Sequence, residues 1–292
     1  MNNYKDKYDL YLSKINNRLN ELLIKSTYED DIVCDAMRYS VENGGKRIRP
    51  VLVLEACSIC GGEIDDAVDI ACALEMIHTY SLIHDDLPCM DNDDMRRGKP
   101  SCHIKYGEEY ALLAGDGLLT YAFEVITGSN IGSDKIVKAV RCLANNSGFN
   151  GMIGGQVVDL RSEGKQISYE RLKTMHSLKT GALIRCAAEL GCICAGADEE
   201  KTAQLISYAD RLGLAFQIVD DILDVIGDEK ELGKPVGSDS VSEKTTYVTL
   251  FGLDAADTMA KEITAEAKKA INGFENNDFL MTLADKLTTR KS

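Results

Sequence analysis

Residues 200–226 read EKTAQLISYADRLGLAFQIVDDILDVI, and their spacing decides the fold class. Ala203, Leu205, Ile206, Ala209, Leu212, Ala215, Phe216, Val219, Ile222, Leu223 and Ile226 recur every three or four residues, the period of an α-helix. Apolar residues spread over more than one face predict a helix that lies centrally. Neighbouring stretches keep the same period, and no run alternates as a strand does. The chain has four prolines and none between Pro100 and Pro235, so that long stretch is free to be helical. Glycines punctuate it instead, at 44–45, 61–62, 148–155, 227, 233 and 237. The expectation is an all-α fold, one domain over residues 1–292, built as a bundle of roughly ten or more helices.

Composition narrows the class further. The chain has 292 residues, 47 acidic against 33 basic, a formal charge of −14, 45% hydrophobic residues and no Trp. It is too apolar to be disordered, and no run approaches the ~18 apolar residues of a membrane span. The acidic balance argues against a general nucleic-acid binder. At the N-terminus Tyr8, Leu12, Ile15, Leu19 and Leu22 mark one face of an amphipathic helix rather than a secretory signal. The ten cysteines sit mostly among apolar neighbours, as Cys72, Cys186, Cys192 and Cys194 do, and read as reduced thiols of a cytoplasmic protein. Cys57 and Cys60 form a lone CxxC without a second pair at zinc spacing.

Two acidic clusters stand out. In HDDLPCMDNDD (84–94), Asp85 and Asp86 end the apolar run ALEMIHTYSLI, Pro88 breaks the helix, and Asp91, Asp93 and Asp94 follow. In FQIVDDILDVIGD (216–228), Asp220 and Asp224 share a helix face, with Asp221 beside them. Carboxylates at the ends of apolar helices are costly unless paired or bound to metal. Hard oxygen donors suit Mg²⁺, which takes one or two carboxylates plus phosphates and water. A solvated acidic face explains either cluster alone, and both together less well. Basic groups recur in GGKRIRP (44–50), MRRGKP (95–100), LKTGALIR (178–185) and the stretch holding Lys234 and Lys244. Arg and Lys bind phosphate oxygens, so Mg²⁺ and these groups together accommodate a diphosphate. His78 precedes Asp85 on the same helix and is either a core residue or a ligand.

In order, GGKRIRP, HDDLPCMDNDDMRRG, GMIGGQVVDL, LKTGALI and FQIVDDILD resemble the trans-isoprenyl diphosphate synthases, the bacterial farnesyl diphosphate synthase type above all, from about residue 30 to about residue 250. The resemblance implies an isoprenoid-synthase helical bundle around a deep cavity, usually a homodimer. It implies Mg²⁺ held by Asp85, Asp91 and Asp220, with Asp86, Asp221 and Asp224 in support. Lys46, Arg49, His78 and Arg97 would grip isopentenyl diphosphate. Arg96, Lys179 and Lys234 would hold the allylic diphosphate, dimethylallyl and then geranyl. Thr180 and Gln217 would lie near the developing allylic cation, Lys244 at the rim, and Gln156 and Asp159 along the cavity. No protein nucleophile is needed, and a dry pocket protects the cation from water.

Tyr80 stands five residues before Asp85, about 7.5 Å along a helix axis at ~1.5 Å per residue. Family members with an aromatic there resemble synthases that stop at fifteen carbons, which implies farnesyl diphosphate; a geranylgeranyl diphosphate synthase is the alternative. His84-Asp85 also allows a metal phosphohydrolase of the His-Asp type, although His78, His103 and His176 form no second such pair. A non-catalytic subunit would typically lack the aspartate motifs, and a terpene cyclase would not need the GGKRIRP grip. Val248 stands where the family often has Pro, and the segment after 252 resembles it loosely; Arg290 and Lys291 give a basic ending.

Overall fold

Burial of whole helices, rather than of one stripe, organises this chain. The computed structural model describes residues 3–23, 31–227 and 244–289. Lys234, Arg290 and Lys291 lie outside the described residues. Among the described residues there are fourteen α-helices, one π-helix and a single two-stranded β-pair. None of these helices is long and apolar enough to cross a membrane. The chain divides into two compact units, residues 1–54 with 63–140, and residues 55–62 with 141–292.

In the first unit α1 (Asn3–Leu22), α2 (Ile32–Glu42) and α6 (Glu108–Thr127) surround α4 (Ile64–Asp85). From Ala67 to Ile83, twelve α4 residues are buried, including Glu75, Thr79 and Tyr80. A helix apolar nearly all round is stable only as a core element. On α1 the deepest stripe is Tyr11, Ile15, Leu19 and the following Leu23. Tyr8, Leu12 and Leu22 flank it, half-buried, so the face is rotated from the one the sequence suggests. Each such aliphatic contributes roughly 1.5–3 kcal/mol when buried. The half-exposed Arg18–Asp69 ion pair between α1 and α4 (2.6 Å) adds at most about 1 kcal/mol, so apolar contact dominates the docking.

Pro88 has no N–H to continue the α4 ladder, and the chain turns back there. The Asn92 N–H donates to the Leu87 carbonyl at 3.2 Å, with Asn92 at φ 52°. Met95–Arg96 (β1) then pairs antiparallel with Lys99–Pro100 (β2). Arg97 (φ 53°) and Gly98 (φ 75°) form the connection, the left-handed pair that a two-residue hairpin turn requires. α5 (Cys102–Tyr106) follows and packs on α6.

The second unit is built on α11 (Glu199–Ile226), which packs against α13 (Leu253–Ala270) and α10 (Ala182–Ala195). Asp198 caps α11 by accepting from the Lys201 N–H at 2.8 Å. Before it, Gly196 in the left-handed conformation ends α10. Tyr208, fully buried, donates its hydroxyl to the Leu280 carbonyl at 2.7 Å, anchoring α14 (Asp278–Thr288). A second core packs Leu172, Ile218, Ile222 and Tyr247 together; it joins α9 (Tyr169–His176), α11 and α12 (Tyr247–Phe251). Between α9 and α10, residues Ser177–Gly181 form a π-helix, and α8 (Met152–Leu160) lies against it. Short π segments are frequent at functional sites. The two remaining helices are α3 (Ile48–Ile59) and α7 (Ser133–Ser147).

Candidate active site

In the first unit, Asp85 closes α4 and Asp86 forms its cap. The backbone N–H of Asp91 donates to the Asp85 carbonyl at 2.9 Å, so the turn returns a carboxylate to the helix end. Asp85 is half-buried and Asp91 exposed. Asp86 behaves differently. It is 2% exposed and accepts from Arg96 through Nε at 3.0 Å and through Nη2. Burial raises the Asp86 carboxyl and Arg96 opposes that rise. For Arg96, burial pulls its pKa down, and the Asp86 hydrogen bond together with the charges of Asp86, Asp93 and Asp85 raises the group overall.

The basic loop GGKRIRP lies in the same unit. Lys46 is exposed and Arg49 half-buried. Arg49 Nη1 stands 3.3 Å from His78 Nε2. Burial and the nearby Arg49 and Arg97 hold the His78 ring well below its usual pKa, hence neutral at pH 7. Arg97 donates to the Gly44 carbonyl. Tyr80 is 5% exposed, meets His84 edge-on with centroids 5.6 Å apart, and its buried hydroxyl has no hydrogen-bond partner among the described residues. Burial pushes that phenol up to about 12. His84 Nε2 lies 3.1 Å from the Leu112 carbonyl of α6. A Cβ on Gly115 would overlap the His84 ring, so His84 is seated in the α4–α6 contact.

In the second unit, Asp220 and Asp221 line a cavity of about 310 Å³ with Asp159, His176, Lys179, Gln217 and Lys244. Pockets that hold small ligands begin near this size. The π-helix carries Lys179 and Thr180. Thr180 Oγ1 donates to Gln217 Oε1 at 2.6 Å, and Gln217 Nε2 donates to Asp220 Oδ2 at 3.2 Å. Lys179 Nζ pairs with Asp159 at 2.5 Å. A Cβ at Gly155 would collide with the Lys179 backbone, so the second glycine of the pair in GMIGGQVVDL is what lets α8 approach the π-helix. Gln156 Nε2 is buried without a partner among the described residues. Asp221 Oδ2 accepts the Tyr247 N–H at 2.8 Å, and Asp224, one turn on, is 2% exposed.

The sequence reading brought His176 into no site. It nevertheless lines the cavity, 9% exposed, and its Nδ1 finds no partner among the described residues. Burial lowers it to about 4, with Lys179 lowering it further against Asp159. Its only sequence signal was its place three residues before Lys179. Thr245 and Thr246 also line the cavity and gave no signal.

Among the described residues, no three His, Cys, Asp or Glu side chains form a metal cage of their own. Mg²⁺ does not require one, because it is commonly held by one or two carboxylates plus substrate phosphates. Asp85 with Asp91, and Asp220, supply hard oxygen donors of that kind, so the residues fit this ion. None of the ten cysteines is joined in a disulfide. In the CxxC, Cys57 is fully buried, while the half-buried Cys60 has its pKa lowered by a hydrogen bond with Cys192.

An all-helical chain with two aspartate motifs, each beside basic groups, defines a class that handles diphosphates. The polyprenyl synthetase family profile matches residues 30–280, and the chain belongs to that family, the trans-isoprenyl diphosphate synthases. It is 47% identical over 264 residues to a geranylgeranyl diphosphate synthase of Cyanophora paradoxa, covering 89% of this chain and 88% of the relative. It is 45% identical over 274 residues to a dimethylallyltranstransferase of Fischerella ambigua, covering 92% and 79%. The crystal structure of an FPP/GFPP synthase from Zymomonas mobilis superposes with a TM-score of 0.88 at 33% identity, covering 98% of this chain and 99% of that one.

Proposed function

We propose that this chain is a prenyltransferase that condenses isopentenyl diphosphate head-to-tail with dimethylallyl and then geranyl diphosphate, releasing farnesyl diphosphate. Tyr80 carries the product length. It is a rigid, 5%-exposed aromatic on the helix that ends at Asp85. An extending prenyl chain running down that helix meets the ring as a floor. A twenty-carbon product is the second reading, favoured by the geranylgeranyl diphosphate synthase name of the 47% identical relative.

Asp85, Asp91 and Asp220 are the proposed holders of Mg²⁺, which when bound supplies Lewis-acid stabilisation of the departing diphosphate. Lys46, Arg49, His78 and Arg97 are assigned to isopentenyl diphosphate. Arg96 and Lys179 are assigned to the allylic diphosphate, with Lys244 at the rim and Lys234, outside the described residues, in the same role. Asp86, Asp221 and Asp224 support from behind. The Thr180–Gln217 bond holds a hydroxyl oxygen and an amide oxygen next to each other, and their lone pairs suit them to stabilising a nearby cation. Neutral His78 offers Arg49 a ring nitrogen without adding a charge to a cationic loop. Exposed Leu112 and Leu113 on α6 support a homodimer, since adjacent exposed apolar residues often mark protein contacts. Ten cysteines without a disulfide support a cytoplasmic setting.

Incubation with both five-carbon diphosphates and Mg²⁺, followed by product chromatography, tests the reading. The expected product is the fifteen-carbon diphosphate, and Tyr80→Ala is expected to extend it to twenty. A wild-type twenty-carbon product overturns the floor at Tyr80. Free alcohols or monophosphates overturn the transferase reading in favour of a hydrolase.

A further inference from the structure

We propose that the buried Arg47–Glu75 ion pair is the positioning element of the basic loop, aiming Lys46 and Arg49 at the non-allylic diphosphate. The proposal rests on the assignment of that loop to isopentenyl diphosphate. Three cations stand in GGKRIRP, and they divide by direction. Lys46 is exposed and Arg49 half-buried, while the Arg47 side chain is 6% exposed. Arg47 has φ 49°, a left-handed conformation that a residue with a Cβ keeps only where its surroundings hold it.

Those surroundings are specific. Arg47 Nη1 donates to Glu75 Oε1 at 2.7 Å, Nη2 to the Val41 carbonyl, and Nε to Asn16 Oδ1 at 3.3 Å. The guanidinium thereby ties the loop to α4, to the end of α2 and to α1 at once. Glu75 is itself only 2% exposed. A buried ion pair adds little net stability over apolar residues of the same size, and its best-attested use is to select one conformation. Here the selected conformation is that of the loop.

The rest of the loop repeats the pattern. Glu75 and His78 sit one turn apart on α4, so a single helix face docks Arg47 and then Arg49. Tyr8 of α1 donates its hydroxyl to the Lys46 carbonyl. On the far side Arg97 donates to the Gly44 carbonyl, and its guanidinium lies where a Cβ on Gly45 would be 2.6 Å away. Burial, with Arg47 and Arg96, disfavours the charged form of Arg97, and Glu75, ahead of Asp86, opposes them. Without Glu75, an unpaired Arg47 would leave the interior and carry Lys46 and Arg49 with it.

The experiment measures KM for each substrate, kcat and thermal unfolding in Glu75→Gln, Arg47→Lys and Arg49→Gln. Loss of one charged hydrogen-bonded tie is expected to raise KM for isopentenyl diphosphate about tenfold in Glu75→Gln, with kcat within about threefold and allylic KM within about twofold. Arg47→Lys keeps the charge and loses the fork, so the same KM rises by less. If Glu75→Gln does not fold, Arg47→Lys decides alone. Anchor variants that raise both KM values equally, or neither, while Arg49→Gln raises KM for isopentenyl diphosphate, overturn the proposal and leave the loop's assignment standing. An unchanged KM in Arg49→Gln overturns the assignment, and the proposal with it.

Discussion

The two aspartate motifs are built alike and tied down differently. In each, the first aspartate is the more open, Asp85 at the end of α4 and Asp220 on the wall of the cavity in its own unit. The second is turned into the scaffold. Asp86 is clamped by the guanidinium of Arg96, whereas Asp221 accepts a backbone N–H at the start of α12. One tie is an ion pair to a hairpin and the other a hydrogen bond from a backbone amide at a helix start. Adjacent identical residues thus divide into one that is more open, proposed above as a metal ligand, and one held by the scaffold, and the hold in the first motif is an ion pair.

The largest expected effect separates the open pair from the held pair. Asp220→Ala is expected to lower kcat about a thousandfold, the scale on which removing transition-state charge stabilisation acts. Its thermal midpoint should stay near wild type, because the carboxylate is half-buried on the wall of a cavity rather than enclosed in the core. Asp85→Ala should behave the same way. Near-normal turnover in either variant removes that residue from the proposed metal site.

Asp86→Ala should do the reverse in proportion, costing about 3 kcal/mol of stability, because the partly buried Arg96 loses its buried partner and keeps only the longer contact, 3.5 Å, with the exposed Asp93. Urea unfolding measures it. A loss confined to turnover would show that Arg96 finds another partner and that the clamp is not structural.

The sequence made the central helices legible because burial on all sides leaves an unbroken period, as in 200–226, and because Pro88 marks where α4 must end. It made the aspartate and basic motifs legible as residue types at fixed spacing. It could not orient them. Arg47 looks like Lys46 and Arg49 in a basic run, and its partner Glu75 lies 28 residues away inside an apolar run. The hairpin at 95–100 escaped because two-residue strands carry no alternation, and Arg-Gly is not a usual turn signal. The π-helix escaped because one extra residue per turn does not disturb an apolar pattern over five residues.

Each unit also holds a histidine kept neutral by burial, and the one in the second unit has a pH response that can be isolated. In the second unit His176 is lowered from 6.5 to about 4, so the unfolded chain binds its proton more tightly. Stability from burying the neutral ring is complete above pH 6.5 and is lost as pH falls toward 4. By pH 5 the wild type should have lost about 2 kcal/mol through this group. His176→Phe, which keeps a ring against Tyr247, should flatten that part of the curve in denaturant titrations at pH 7 and pH 5. His78, also held neutral, leaves a residual slope. An equally steep loss in His176→Phe would show that the ring is protonated in the folded chain.

The smallest effect tests the backbone-amide tie itself. Asp221→Ala removes the acceptor of the Tyr247 N–H, a bond whose loss costs about 1–2 kcal/mol. Asp221→Asn keeps an oxygen in place and should recover most of that stability, since the donor is a backbone amide that requires an acceptor and not a charge. Asp86→Asn should recover little, because Arg96 requires the charge as well as the oxygen. Equal rescue by Asn at both positions would erase the distinction between the motifs. Rescue at Asp221 alone would establish that the same residue pair is anchored by geometry in one unit and by electrostatics in the other.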